Sequence, residues 1–269
     1  MLSVAGAEIY YEDTGGRGEP IVFSHGLLWD TRLFEPQVAR LRERYRCISY
    51  DHRGQGKSTG GTSRYSMDVL ADDAAALIEK LGVAPCHFVG LSMGGFVGIR
   101  LAARRPDLIR SLTLMETAAD PEPRLNIPKY AAMELITRVL GRRVLLGAIM
   151  KIMFGRTFLR DPARAPQRRD IADQFMALDQ ERSRWALDSV VSRDGVENLL
   201  PRIHCPTLVI WGKEDKAIAR PRARGTADRI SGARWVELPY GGHSSTVEEP
   251  ELVTRALEDF LRPIRLAVS

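Results

Sequence analysis

The chain has 269 residues, 44% of them hydrophobic and 27% charged, which is enough for one large buried core and typical of a globular protein. Its formal net charge is +5, but no basic run is interleaved with aromatic residues, so nucleic acid is not an expected partner. Three scattered cysteines, Cys47, Cys86 and Cys205, are too few for a disulfide framework or a metal site.

The N-terminus lacks the basic segment and long apolar core of a signal peptide. The longest apolar stretch, residues 139–154, contains three basic residues and is too short to span a bilayer. We therefore expect a cytoplasmic protein with no membrane partner.

Strand and helix patterns alternate through the first part of the chain, because short apolar runs are followed by stretches with helical spacing. The predicted strands are residues 7–12, 21–24, 46–50, 87–91 and 111–115, and the predicted helices are residues 33–41, 66–81 and 96–104. This alternation predicts an α/β fold with a mostly parallel sheet covered by helices on both faces.

The alternation stops near Ala118, and from there to about Leu200 the pattern is mostly helical. It resumes with predicted strands at residues 207–211 and 234–238 and a helix at residues 250–261. The sequence therefore predicts an α/β core formed by residues 1–117 and 201–269, interrupted by a helical cap at residues 118–200.

Apolar residues recur at helical spacing in the predicted cap. Met133, Ile136, Val139 and Leu140 fall on one helix, and the pattern continues in the next. This is more apolar surface than two exposed helices would leave in water. We therefore expect the cap to roof the active site, with part of this face lining a pocket and its methionines forming an adaptable wall.

The segment Gly90-Leu91-Ser92-Met93-Gly94 lies between the predicted strand 87–91 and the helix that follows it. A serine flanked by glycines at a tight strand-to-helix turn is typical of a nucleophile elbow, in which the hydroxyl is presented at the edge of the sheet. The alternative is a glycine-rich turn that contains a serine by chance.

A serine hydroxyl needs a neighbouring base and a group that orients this base. His243 lies in a glycine-rich turn after the last predicted strand, and it is the best candidate for the base. His87 and His204 are placed as structural residues, and His25 and His52 precede the serine.

The orienting acid should follow a strand that lies between the serine and the base. Asp215 stands just after the strand 207–211, and it is the preferred candidate. Its neighbour Glu214 and the earlier strand-end residue Glu116 are the rivals. Backbone N–H groups must also stabilise the developing oxyanion, and we expect them from Met93 and Leu27.

Taken together, these motifs resemble those of the α/β-hydrolase superfamily. In the family's order they are Ser24-His25-Gly26, Asp51-His52-Arg53-Gly54-Gln55-Gly56-Lys57-Ser58, Gly90-Leu91-Ser92-Met93-Gly94-Gly95, residues 206–215 and Gly241-Gly242-His243. The resemblance implies a Ser92-Asp215-His243 triad and a cap at the predicted insertion. Within the superfamily the chain is similar to small bacterial esterases and enol-lactonases.

The resemblance implies a cofactor-independent serine hydrolase that cleaves a small carboxylic ester or lactone through an acyl-enzyme. Gly56-Lys57-Ser58 is not a phosphate-binding loop, because Asp51 stands where such a loop needs a glycine, and no cofactor or metal is expected. A C–C bond hydrolase, a perhydrolase, or a slow-turnover ligand receptor with the same triad are the alternatives.

Overall fold

A computed structural model describes residues 1–266 of the chain. Its strands are β1 (Leu2–Val4), β2 (Ala7–Ile9), β3 (Tyr11–Asp13), β4 (Pro20–Ser24), β5 (Arg46–Tyr50), β6 (Cys86–Leu91), β7 (Ile109–Met115), β8 (Thr207–Gly212) and β9 (Arg234–Leu238). Its α-helices are α1 (Glu35–Leu41), α2 (Met67–Lys80), α3 (Met93–Arg104), α4 (Ile127–Leu140), α5 (Leu146–Met153), α6 (Arg156–Arg160), α7 (Ala165–Ala177), α8 (Gln180–Val191), α9 (Arg220–Asp228), α10 (Ser245–Glu248) and α11 (Pro250–Leu266).

Seven strands form one sheet in the order β3-β5-β4-β6-β7-β8-β9. Strand β3 pairs with β5 in the antiparallel sense, whereas the other six strands are parallel to one another. Strands β1 and β2 form a separate hairpin. The parallel strands all end at one edge of the sheet, which is where ligands bind in open α/β sheets.

Residues on successive strand positions point to opposite faces of the sheet and enter different parts of the core. Val22 and Phe88 join an apolar cluster with α2 and α3, whereas Phe23 and Val89 join a second cluster with α1 and α11. Both faces of the sheet are therefore covered, as the alternating pattern predicts.

The predicted strand at residues 7–12 differs from the structure, because it is divided into β2 and β3. The Tyr10 N–H between them donates to the Ser58 hydroxyl at 2.8 Å, rather than to a neighbouring strand. Helix α9 has no predicted counterpart, because its sequence RPRARGTAD carries few apolar side chains and no helical apolar pattern.

The cap helices α4 to α8 lie between β7 and β8 in the chain. The chain enters this segment after the carboxyl end of β7 and returns to the same place after α8, where the Val196 N–H donates to the Ala119 carbonyl at 2.8 Å. The expectation that the apolar surface of the cap would be covered is wrong in part. Met133 faces the interior, but Val139 and Leu140 are 68% and 63% exposed. No helix within residues 1–266 is long and apolar enough to cross a membrane.

Candidate active site

Ser92 lies at the turn between β6 and α3 with a strained backbone, φ +52° and ψ −110°. A Cβ on Gly90 would lie 2.3 Å from the Gly94 carbonyl oxygen, and one on Gly94 would lie 2.0 Å from that of Ser24. Only glycine fits at either position. The turn is also fixed by the Ser92 N–H, which donates to the Met115 carbonyl at 2.8 Å. The sharp turn leaves the Ser92 side chain at the edge of the sheet.

The structure brings Ser92, His243 and Asp215 together in one hydrogen-bonded row. The Ser92 hydroxyl donates to His243 Nε2 at 2.9 Å. With its proton on Nδ1, the imidazole donates to both Asp215 carboxylate oxygens at 3.1 Å. All three residues are at most 8% exposed. This is the arrangement in which a base removes the serine proton while an acid holds the base in the required tautomer.

Asp215 is held independently of the histidine. Its Oδ1 accepts hydrogen bonds from the backbone N–H groups of Ala217 at 2.8 Å and Ile218 at 3.2 Å. The loops after β8 and β9 also pass very close to each other, since a Cβ on Gly212 would lie 2.2 Å from the Gly241 carbonyl oxygen. This close approach lets Asp215 and His243, which are distant in the chain, meet.

The two rival acids have other surroundings. Glu214 faces the cap, where its carboxylate accepts hydrogen bonds from the Thr157 N–H at 2.6 Å and hydroxyl at 2.8 Å. Glu116 is fully buried, and this burial, with the charge of Asp215 adding to it, raises the pKa of its carboxyl well above the ordinary value. Among the described residues, neither carboxylate hydrogen-bonds to His243.

The loop after β4 carries Leu27, which lines the same cavity as Ser92. His25 supports this loop: its Nδ1–H donates to the Gly26 carbonyl at 2.7 Å, and its Nε2 accepts from the His52 N–H at 3.0 Å. Burial lowers the pKa of both imidazoles, which favours their neutral form. These two histidines therefore shape the loop.

Met93 is the first residue of α3, so its N–H has no carbonyl one turn earlier to which it could donate. Leu28, next to Leu27, adopts a left-handed conformation with φ +68°, and its N–H donates to the Gln55 side chain at 3.2 Å. Leu27 thus shares a cavity wall with Ser92, and Met93 follows Ser92 directly in the chain.

A cavity of about 490 Å³ lies between the core and the cap, with Ser92 and His243 in its wall. Most of the cavity surface is apolar, although charged side chains such as Glu134, Arg138 and Arg184 also line it. The apolar side chains that the cap contributes include Met133, Ile149, Ile152, Met153, Leu187 and Val190. A pocket of this size and character suits a small, mostly apolar molecule.

The cavity wall also contains a charged pair that the sequence does not predict. Arg193 donates to the Glu122 carboxylate at 3.1 Å, and both side chains are at most 5% exposed. The guanidinium also lies 4.1 Å from the centre of the Phe96 ring. The two charged residues are 71 positions apart, so no local pattern in the sequence could have paired them.

Glu248 connects the histidine loop to the cap. Its carboxyl oxygens accept from the Ser244 N–H at 3.1 Å and from the Gly155 N–H at 2.7 Å. Burial raises the pKa of this carboxyl to about 8. Because Ser244 follows His243 directly, Glu248 fixes the backbone next to the imidazole. The signal that the sequence offers for this contact is the position of Glu248, five residues after His243.

The described part of the chain, residues 1–266, contains no group of three or more His, Cys, Asp or Glu side chains placed to hold a metal ion.

The fold and this site define the class of protein. Residues 19–250 match the family model of the α/β hydrolase fold, and the chain belongs to this family.

Individual relatives are similar over nearly their whole length. The enol-lactonase from Burkholderia xenovorans LB400 is 32% identical with a TM-score of 0.87, covering 96% of this chain and 98% of that one. A thermophilic esterase from Thermogutta terrifontis, solved with malate bound, is 28% identical with a TM-score of 0.87, covering 96% and 94%. RutD of Stutzerimonas stutzeri, provisionally named a carbamate hydrolase, is 29% identical over 263 residues, covering 91% and 94%. The names of all three relatives describe hydrolytic enzymes. The chain is a hydrolase of the α/β hydrolase fold family.

Proposed function

We propose that this chain is a cofactor-independent serine hydrolase that cleaves a small carboxylic ester or lactone. The observation that carries the proposal is the hydrogen-bonded row from Ser92 through His243 to Asp215, which opens onto a largely apolar cavity. The similarity to an esterase and an enol-lactonase supports the substrate class.

In the first half of the reaction, Ser92 Oγ bonds to the substrate carbonyl carbon while its proton passes to His243 Nε2. The N–H groups of Leu27 and Met93 stabilise the oxyanion that forms. The C–O bond to the leaving group then breaks, and His243 returns the proton to the departing oxygen. The product of this half is an acyl-Ser92 ester. With a lactone, the alcohol stays attached to the acyl group.

In the second half, water attacks the acyl-Ser92 carbonyl while His243 Nε2 takes one of its protons. The bond from the carbonyl carbon to Ser92 Oγ breaks, the proton returns to Oγ, and a carboxylic acid leaves. Asp215 keeps the imidazole oriented throughout and stabilises its positive charge. The Ser92 hydroxyl is restored for the next turnover.

The test is steady-state hydrolysis of a panel of p-nitrophenyl esters of graded length, simple lactones and an aryl carbamate, with Ser92→Ala as the blank. We expect repeated turnover of an ester or lactone by the wild type and a loss of about 10⁶-fold in the variant. A fluorophosphonate probe should label the wild type only.

Two results would contradict the proposal. One is a Ser92→Ala variant that is folded by circular dichroism and keeps more than a small fraction of wild-type turnover. The other is release of p-nitrophenol that stops after one equivalent per chain, which is the behaviour of a ligand receptor.

A further inference from the structure

The outer surface of the cap is unusually apolar. Of the nine large hydrophobic side chains that are exposed in residues 1–266, six lie within residues 125–144. We name these six the outer cap face; they are Leu125, Ile127, Leu135, Val139, Leu140 and Val144, with exposed fractions from 43% to 93%. A concentration of exposed apolar residues of this kind marks a contact site rather than ordinary surface.

Helix α4 carries four of the six, and it buries none of its residues. One side of α4 faces the cavity through Tyr130, Met133 and Thr137. Leu135 and Val139 are one turn apart on the opposite side, and they are 61% and 68% exposed. The cavity therefore accounts for the inner apolar side of α4, while the outer side has no partner among the described residues.

Basic residues accompany this apolar surface. Residues 124–151 contain six Lys or Arg and one acidic residue, a net charge of +5 that equals the net charge of the whole chain. The one acid, Glu134, forms an ion pair with Arg184. Arg124, Lys129, Arg138 and Arg143 are exposed beside the outer cap face.

The charge decides what can cover this face. A symmetric dimer through the same patch would place two strongly cationic surfaces within a Debye length of about 10 Å, where they repel. An anionic lipid surface instead accepts apolar side chains at its headgroup boundary and attracts the basic residues around them.

We propose that the outer cap face docks on the surface of an anionic lipid bilayer. The expectation of no membrane partner depended on the lack of a segment long enough to span a bilayer, and docking at the surface needs no such segment.

The test is co-sedimentation with phosphatidylcholine vesicles prepared with and without phosphatidylglycerol, at low and high salt. The apolar variant is Leu135→Ser with Val139→Ser, and its control is Leu252→Ser, which changes an exposed leucine on α11. The charge variant is Lys129→Gln with Arg143→Gln, and its control is Arg255→Gln, also on α11. None of these side chains lines the cavity, so turnover of a water-soluble ester should not change.

The wild type should bind the anionic vesicles, and high salt should release it. The apolar variant should bind at least about tenfold more weakly. The charge variant should lose about fivefold for each basic residue removed. Both controls should bind as the wild type does.

Several outcomes would overturn the proposal: no binding to anionic vesicles, equal binding to neutral vesicles, or loss of binding in the controls as well. A wild-type dimer in light scattering that the apolar variant converts to a monomer would also overturn it, because the face would then be a contact between copies of the chain.

Discussion

Asp215 is the residue that the proposed mechanism needs to keep His243 in the correct tautomer. Asp215→Asn keeps the size of the side chain and its contacts with Ala217 and Ile218, but it presents an N–H group or a neutral oxygen to the imidazole. We expect a folded variant whose turnover falls about 10⁴-fold, as in other triads with an amide in place of the acid. The measurement is kcat on the best ester of the panel.

The matched controls are the two other acids near the site. Glu214→Gln changes a contact with Thr157, and Glu116→Gln replaces a buried carboxyl whose raised pKa already favours the neutral form. Both variants should keep most of the activity. If Glu116→Gln were the damaging change, the orienting acid would belong to β7 and the assignment of Asp215 would be wrong.

Glu248 should make stability depend on pH. Its pKa is about 8 in the folded chain, against an ordinary value of 4.5. Between these values the folded carboxyl keeps its proton and the unfolded one has lost it, so unfolding releases a proton. The free energy of unfolding therefore falls as pH rises through this window, by up to about 1.4 kcal/mol per pH unit, and levels off above it.

The variant Glu248→Gln removes this ionisation. It should be slightly less stable at pH 5, because an amide cannot accept from both the Ser244 and Gly155 N–H groups, at a cost of about 1 kcal/mol. Its further loss between pH 5 and pH 9 should be smaller than that of the wild type. Urea unfolding at the two pH values measures both effects, and an equal loss in both proteins would contradict the raised pKa.

At the level of single residues, the sequence predicts those site residues that follow the ends of strands. Ser92, Asp215 and His243 could be chosen because parallel strands end at one edge of the sheet, and the structure places their side chains in contact. The Arg193–Glu122 pair could not be predicted, because its partners come from segments whose meeting depends on how the cap folds.

Among the helices, α5 and α7 offer a test of which cap residues select the substrate. Ile152 on α5 is half-buried and lines the cavity, whereas Ile171 on α7 is buried and does not. Ile152→Ala should shift the preferred acyl chain toward longer esters, with about 1 kcal/mol of discrimination per methylene contact. The measurement is kcat/KM across the ester series.

Ile171→Ala is the control with the same change in side chain. It should lower the free energy of unfolding by about 2–5 kcal/mol and leave the preferred chain length unchanged. A cap that is only scaffolding would give the opposite pattern for Ile152→Ala, with lower stability and unchanged selectivity.

The elements that the sequence predicts best are those with a strong apolar pattern. Helix α2 agrees within one residue at each end of its prediction, and Ser66 caps it through a bond from the Val69 N–H. The inner and outer sides of α4 could not be distinguished, because both carry apolar side chains and periodicity alone does not reveal which side meets water.

Across the whole molecule, the cap and the core share one apolar cluster. Trp29, after β4, contacts the rings of Phe154 and Phe175 with centroid distances of 6.2 Å and 5.5 Å. The alternation of strands and helices is enough to predict the fold class. It could not predict this packing, because the contacts join residues more than a hundred positions apart.

The nucleophile and its proposed base are 151 positions apart in the chain, and the cap lies between them. During synthesis the ribosome therefore adds Ser92 long before it adds His243. Until then the hydroxyl has no base, and a serine hydroxyl alone is a weak nucleophile. Under the proposed mechanism, the growing chain therefore has no activated nucleophile until the loop after β9 brings His243 to Ser92. A chain with a complete Ser92–His243 pair is thus one whose sheet has already been assembled.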